Sequence, residues 1–126
     1  MTFVDTNVFI YAVGREHPLR DEARTFFESS IESGVPLVTS AEVLQELLHA
    51  YLPVGRMQTL DAALELVAGC VQRVWSVEEA DVRLARLLAR DHPGLGARDL
   101  LHLASCTRRE VTELRTFDRA LAAAWR

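Results

Sequence analysis

A chain of 126 residues that is 49% hydrophobic can bury one core without disulfide or metal staples, and a second domain is not expected. Against 18 acidic residues stand 14 basic ones, a net charge of −4 that argues against simple non-specific attraction to nucleic acid. Every basic residue is an arginine, so mechanisms that need a lysine are excluded.

The two cysteines, Cys70 and Cys106, lie in apolar contexts without C-x-x-C or paired Cys/His spacing, which excludes a zinc framework and predicts a reduced protein. The opening Met1-Thr2-Phe3-Val4-Asp5 lacks the basic flank and apolar run of a signal peptide. No segment approaches the ~20 apolar residues of a membrane span, so a cytoplasmic setting is expected.

Along the chain, Thr2 to Val4 predicts a short strand that turns at Asp5-Thr6-Asn7 into a buried helix through Ala12, closed by Gly14. From Pro18 to Ser33, apolar Leu19, Ala23, Phe26, Phe27 and Ile31 recur at helical spacing, with Pro18 suited to the first turn and Gly34 just past the end. Leu37 to Thr39 predicts a second strand, and Ser40 to Tyr51 a helix stopped by Pro53. Met57 to Cys70 is the next helix, Val71 to Val77 a third strand, and Glu78 to Asp91 a helix. After the loop His92-Pro93-Gly94-Leu95-Gly96 come a helix over Ala97 to Arg108, a strand over Thr112 to Phe117 and a closing helix from Asp118.

Strands alternating with helices imply parallel pairing and an α/β/α sandwich around a short, mostly parallel sheet. In such folds sites form where the carboxyl ends of strands meet the following helices. Asp5 and Asp118 end predicted strands, while Glu46 and Asp99 lie on following helices, so one rim can gather all four. Acids beside core segments repel one another unless a cation or tight hydrogen bonding holds them. A hard divalent metal is the simplest reconciliation.

Each acid also has an ordinary structural reading. Asp5 and Asp118 suit N-caps, each stabilising by ~1 kcal/mol, and Asp99 suits the first-turn end of a helix dipole. Glu46 is mid-helix and nearer the apolar arc of Val43, Leu44, Leu47, Leu48 and Tyr51 than Glu42 is. Glu42, three residues after Thr39, fits a capping box. The metal role therefore goes to Glu46 and the structural one to Glu42. Four dispersed histidines, His17, His49, His92 and His102, form no H-x-x-x-H pair and are assigned to surface or packing. Arg98 and Arg115, beside the expected site, fit a solvated face or ion pair better than phosphate contact.

Read in order, Val4-Asp5-Thr6-Asn7-Val8, Thr39 to Leu47, Ala97 to Ala104 and Thr116-Phe117-Asp118 resemble the motifs of PIN-domain nucleases, and most nearly the compact VapC-type toxins of bacterial toxin–antitoxin pairs. The resemblance implies a single PIN-like domain over 1–126. It also implies an acidic quartet of Asp5, Glu46, Asp99 and Asp118 supported by Thr6, Asn7 and Thr116.

The activity so implied is a metal-dependent endoribonuclease that hydrolyses RNA phosphodiesters by metal-activated water, leaving a 5′-phosphate and a 3′-hydroxyl. The cofactor would be Mg²⁺ or Mn²⁺, held at ~2.0–2.1 Å by carboxylates. Asp5 and Asp99 are the expected principal ligands. Partners expected on this basis are RNA, a cognate antitoxin protein and a second copy in a homodimer, with no membrane. The amphipathic helices at 18–33 and 40–70 are the candidate docking surface, unless all of it is internal core. A phosphoaspartyl enzyme would need a lysine that the chain lacks. A catalytically silent PIN-like module that binds RNA or protein is the alternative.

Overall fold

A computed structural model describes residues 1–126. Strand β1 (Thr2–Val4) is buried along its whole length. Helices α1 (Thr6–Val13) and α2 (Pro18–Ser33) lead to β2 (Leu37–Ser40); α3 (Ala41–Tyr51), a 3₁₀ turn at Leu52–Val54 and α4 (Met57–Cys70) lead to β3 (Arg73–Trp75). Helices α5 (Glu79–Leu88) and α6 (Ala97–Arg108) precede β4 (Glu113–Arg115), and α7 (Arg119–Trp125) follows it.

Local chemistry sets these boundaries. Helix α2 starts with Pro18 in its first turn, where a missing N–H costs nothing, and the His17 ring nitrogen Nδ1 accepts from the Leu19 N–H at 3.0 Å. It ends at Gly34, whose φ of 71° is a left-handed conformation that favours a residue without Cβ. Ser40 caps α3, accepting from the Val43 N–H. The expected capping box of Thr39 with Glu42 is therefore corrected: the Thr39 hydroxyl is buried and donates to the Val4 carbonyl at 2.9 Å, tying β2 to β1 instead.

All strand pairs are parallel, in the order β3-β2-β1-β4, with Phe3 opposite Val38 on one side and Leu114 on the other. The chain builds outward from β1 to β3, then crosses back to lay β4 against the other side of β1. That reversal opens a crevice beyond the carboxyl ends of β1 and β4, the place where ligands bind in open parallel sheets. Strand β3 is shorter than the predicted 71–77 because it is an edge strand: Val74 and Val77 are exposed, and only β2 pairs with it.

Helices α1 to α4 pack on one another as one group, while α5 packs on α6 and α6 on α7, giving the α/β/α layering. Much of the apolar face of the amphipathic helices is core: Ala23 and Phe27 of α2, Val43 and Leu47 of α3, and Leu60, Ala63 and Val67 of α4 are buried. Ile31, Leu48, Leu52, Val54 and Met57 remain exposed.

A latch joins α5 to the far end of α6. The Asp81 carboxylate, 0% exposed, accepts from Arg108 Nη1 at 2.6 Å and Arg109 Nη1 at 2.7 Å. Burial opposes its ionisation, but Arg109, the Glu78 N–H and Arg108 together outweigh it and hold its pKa at about 2. Arg109 also lies over the Trp75 ring, 4.9 Å from its centroid, and Trp75 Nε1 donates to Ser105 Oγ at 2.5 Å. The register of α6 against α5 and the sheet is thereby fixed. No helix is long and apolar enough to cross a membrane.

Candidate metal centre

Four acids from four elements line one cleft of about 610 Å³ at the crevice: Asp5 after β1, Glu46 on α3, Asp99 on α6 and Asp118 after β4. Thr6 and Asn7 line it too, and Arg98 and His49 are the basic residues on its wall. Glu42 is not among the lining residues, whereas Glu46, one turn further along α3, is.

Asp5 is 4% exposed and caps α1 while facing the cleft, so its two sequence readings coexist. Its Oδ1 accepts from the Thr6 N–H at 2.8 Å and its Oδ2 from the Thr116 hydroxyl at 2.7 Å. The same Thr116 oxygen accepts from Asn7 Nδ2 at 3.1 Å and from the Asp118 N–H at 3.0 Å. Asn7 Oδ1 in turn accepts from the Phe117 N–H at 3.0 Å. The Asp5-Thr6-Asn7 turn and the Thr116-Phe117-Asp118 turn are thus stitched together by side chains from both. Asp118 likewise combines two readings, capping α7 through the Leu121 N–H at 2.9 Å while lining the cleft.

Glu46 is held at both oxygens: Oε2 accepts from the Thr6 hydroxyl, and Oε1 lies 2.9 Å from His102 Nε2. The same His102 nitrogen stands 3.5 Å from Asp5 Oδ1. His102 is 1% exposed, so its assignment with the dispersed histidines to surface or ordinary packing is corrected: it contacts two members of the quartet. One signal was available in the sequence, since Asp99 and His102 are three apart and share a helix face.

The electrostatics show an acid-rich site. Burial pushes the Asp5 carboxyl above its ordinary range, and the nearby charge of His102 and the Thr116 hydrogen bond only partly offset it. Asp99 is also raised, first by burial and then by the charges of Asp5 and Asp118. For Glu46 burial acts the same way, but the His102 hydrogen bond and charge and the Thr6 hydroxyl outweigh it, leaving the group below its usual value. Burial lowers the His102 pKa, yet Glu46 and Asp5 reverse this and the net shift is upward. Asp5, Glu46 and His102 present ligand atoms within 4.8 Å of one another, and Asp99 and Asp118 line the same cleft as Asp5 and Glu46. Hard carboxylate oxygens in mutual repulsion at an open cleft fit a divalent cation of the Mg²⁺ or Mn²⁺ kind.

A family model described as PIN domain matches residues 2–124, and the chain belongs to that family. It is of the VapC type within it: Ribonuclease VapC23 of Mycobacterium tuberculosis (strain ATCC 25618 / H37Rv) is 64% identical over 126 residues, covering 100% of this chain and 99% of the relative. Among solved structures, Mycobacterium tuberculosis VapC20, described as a Sarcin-Ricin loop cleaving toxin, superposes with a TM-score of 0.82 at 21% identity over 98% of this chain and 95% of that one. VapBC2 from Rickettsia felis, bound to a DNA fragment from their promoter, gives a TM-score of 0.70 at 17% identity over 90% of this chain and 85% of that one. At those identities the two structures speak for the fold.

Proposed function

We propose that this chain, as a single domain over 1–126, is a metal-dependent endoribonuclease and the toxin of a toxin–antitoxin pair. The observation that carries the reading is the convergence of Asp5, Glu46, Asp99 and Asp118 on one cleft at the sheet's switch point. The name of the 64% identical relative, a ribonuclease, supports RNA as the substrate.

Asp5 and Asp99 are the principal ligands in this reading, with Glu46 and Asp118 completing the acidic wall. When bound, Mg²⁺ or Mn²⁺ supplies activation of water and neutralisation of charge on the scissile phosphate. The chain's own residues do the rest. Thr116 and the Thr6 N–H fix the Asp5 carboxylate from two directions, and the Thr6 hydroxyl and His102 fix Glu46. Asn7 braces Thr116 and the Phe117 N–H, so the Asp118 turn cannot drift from Asp5. Arg98, which the sequence alone assigns to a solvated face or ion pair, lines the cleft with His49, and these two basic side chains are the groups available to a phosphate oxygen.

The reading brings with it a cytoplasmic setting, a homodimer and an antitoxin protein partner. The fold likeness to VapBC2 supports the partner, and the exposed Leu48, Leu52, Val54 and Met57 offer apolar surface for docking. The test is cleavage of cellular RNA with and without Mg²⁺ or Mn²⁺, by wild type and by Asp5→Asn and Asp99→Asn. Loss of cutting in both variants and on chelation is expected. Undiminished cutting in the variants would sink the assignment.

A further inference from the structure

His102 lies in the acid cluster, yet it does not line the cleft. It stands behind Glu46, with the Phe3 ring 5.5 Å away on the sheet side. Its Nε2 faces two carboxylate oxygens, Glu46 Oε1 at 2.9 Å and Asp5 Oδ1 at 3.5 Å. An ionised carboxylate only accepts, so Nε2 carries a hydrogen, as it does both in one neutral tautomer and in the imidazolium. A nitrogen that ligates a metal must offer a lone pair. Donation to Glu46 and coordination through the same Nε2 therefore exclude each other.

The Glu46 side chain shows what the donation does. Its two oxygens receive hydrogens from two different elements, Thr6 of α1 and His102 of α6, so its rotation about the terminal bond is fixed. Because Asp99 and His102 are three apart on α6, the helix that carries one acid of the quartet also orients another. The other ring nitrogen, Nδ1, is buried without a partner. The imidazole is thus held by its Nε2 contacts and by packing.

We infer that His102 is a positioning residue of this site: its Nε2–H and the Thr6 hydroxyl together fix both oxygens of Glu46, without His102 itself binding the cation. The inference rests on the metal-site reading above, so its test reads metal binding and ligand identity rather than cleavage. Mn²⁺ is titrated into wild type, His102→Gln and His102→Leu, with free Mn²⁺ followed by electron paramagnetic resonance. Gln returns an N–H near the Nε2 position, and its affinity is expected close to wild type. Leu removes the donor, and a loss of about 10–100-fold is expected. Equal affinity in wild type and His102→Leu overturns the positioning role, as does a His102→Gln protein as weak as His102→Leu.

Electron spin-echo modulation of Mn²⁺ bound to the His49→Gln protein, which lacks the histidine that lines the cleft, is expected to carry no directly coordinated imidazole nitrogen. Such a coupling makes His102 a ligand and overturns the inference, even if His102→Leu fails to fold. Wild type that binds no Mn²⁺ overturns the metal-site reading itself, an outcome distinct from Mn²⁺ held equally by wild type and His102→Leu.

Discussion

The Thr116 hydroxyl donates to Asp5 Oδ2 at 2.7 Å, and through that bond the turn after the last strand holds the turn after the first. Strands β1 and β4 are neighbours in the sheet, so their following turns open into the same crevice. The Thr116 oxygen also accepts from Asn7 and from the Asp118 backbone, which makes one hydroxyl the junction of three site residues.

Replacing Thr116 with Val keeps the shape and removes that junction. Asp5 loses a donor, and Asn7 Nδ2 and the Asp118 N–H lose their acceptor in a part-buried setting. Stability is expected to fall by about 1–3 kcal/mol, and RNA cleavage by about 10-fold or more at saturating metal. Thr116→Ser should restore most of both. Urea denaturation and a cleavage assay check this, and a Val variant equal to wild type would show the junction to be dispensable.

The choice between Glu46 and Glu42 is open to direct test. Glu46 is hydrogen-bonded at both oxygens and faces the cleft, while Glu42 is absent from its lining. Glu46→Gln is expected to lower cleavage by at least about 10-fold, and Glu42→Gln to leave the rate near wild type. The reverse result would exchange their roles.

These two acids also show what was legible in the sequence. The helix over 40–51 and the apolar arc that brings Glu46 nearer the core follow from helical period, and both ends of α2 and the start of α6 follow from proline and glycine. The order of the four acids along the chain, joined to the alternation of strands and helices, was enough to predict a shared rim. What local pattern does not carry is a bond between distant segments. His102 meets Glu46 across 56 positions, and a wheel shows the face of His102 but not what lies opposite. The same holds for Thr39, whose hydroxyl donates to the Val4 carbonyl on the adjacent strand while Ser40 caps the helix that follows.

Asp99 should weaken the metal-free fold that it serves. Its pKa is raised by burial and by the Asp5 and Asp118 charges. A carboxyl raised on folding contributes stability that is fully present below its unfolded pKa, about 4, and lost as pH rises through the higher folded value. At pH 7 the neutral Asp99→Asn variant is therefore expected to be more stable than metal-free wild type, on the order of 1 kcal/mol or a few degrees in Tm. The difference should close toward pH 4. Adding Mn²⁺ should raise the Tm of wild type more than that of the variant. A variant less stable than metal-free wild type at pH 7 would contradict the repulsion argument.

Asp81, on α5 where that helix is tied to the other end of α6, behaves oppositely. Its pKa is lowered to about 2 by Arg109, the Glu78 N–H and Arg108 against the cost of burial. The stability it contributes is therefore present above its unfolded pKa of about 4 and lost as pH falls through about 2. Asp81→Asn leaves Arg108 and Arg109 with only the more exposed Glu78 as a shared anion. Because Arg108 keeps part of its exposure, the expected cost at pH 7 is at the lower end for a broken buried pair, about 3 kcal/mol, or roughly 10 °C in Tm. The gap between wild type and variant should narrow between pH 4 and 2 in thermal denaturation. Arg109 follows the last turn of α6 while Asp99 sits in its first, a separation of about 15 Å along the helix. Cleavage well below the variant's melting point should therefore stay near the wild-type rate. A variant that cuts poorly while fully folded would mean that the latch transmits its register along α6 to Asp99 and His102.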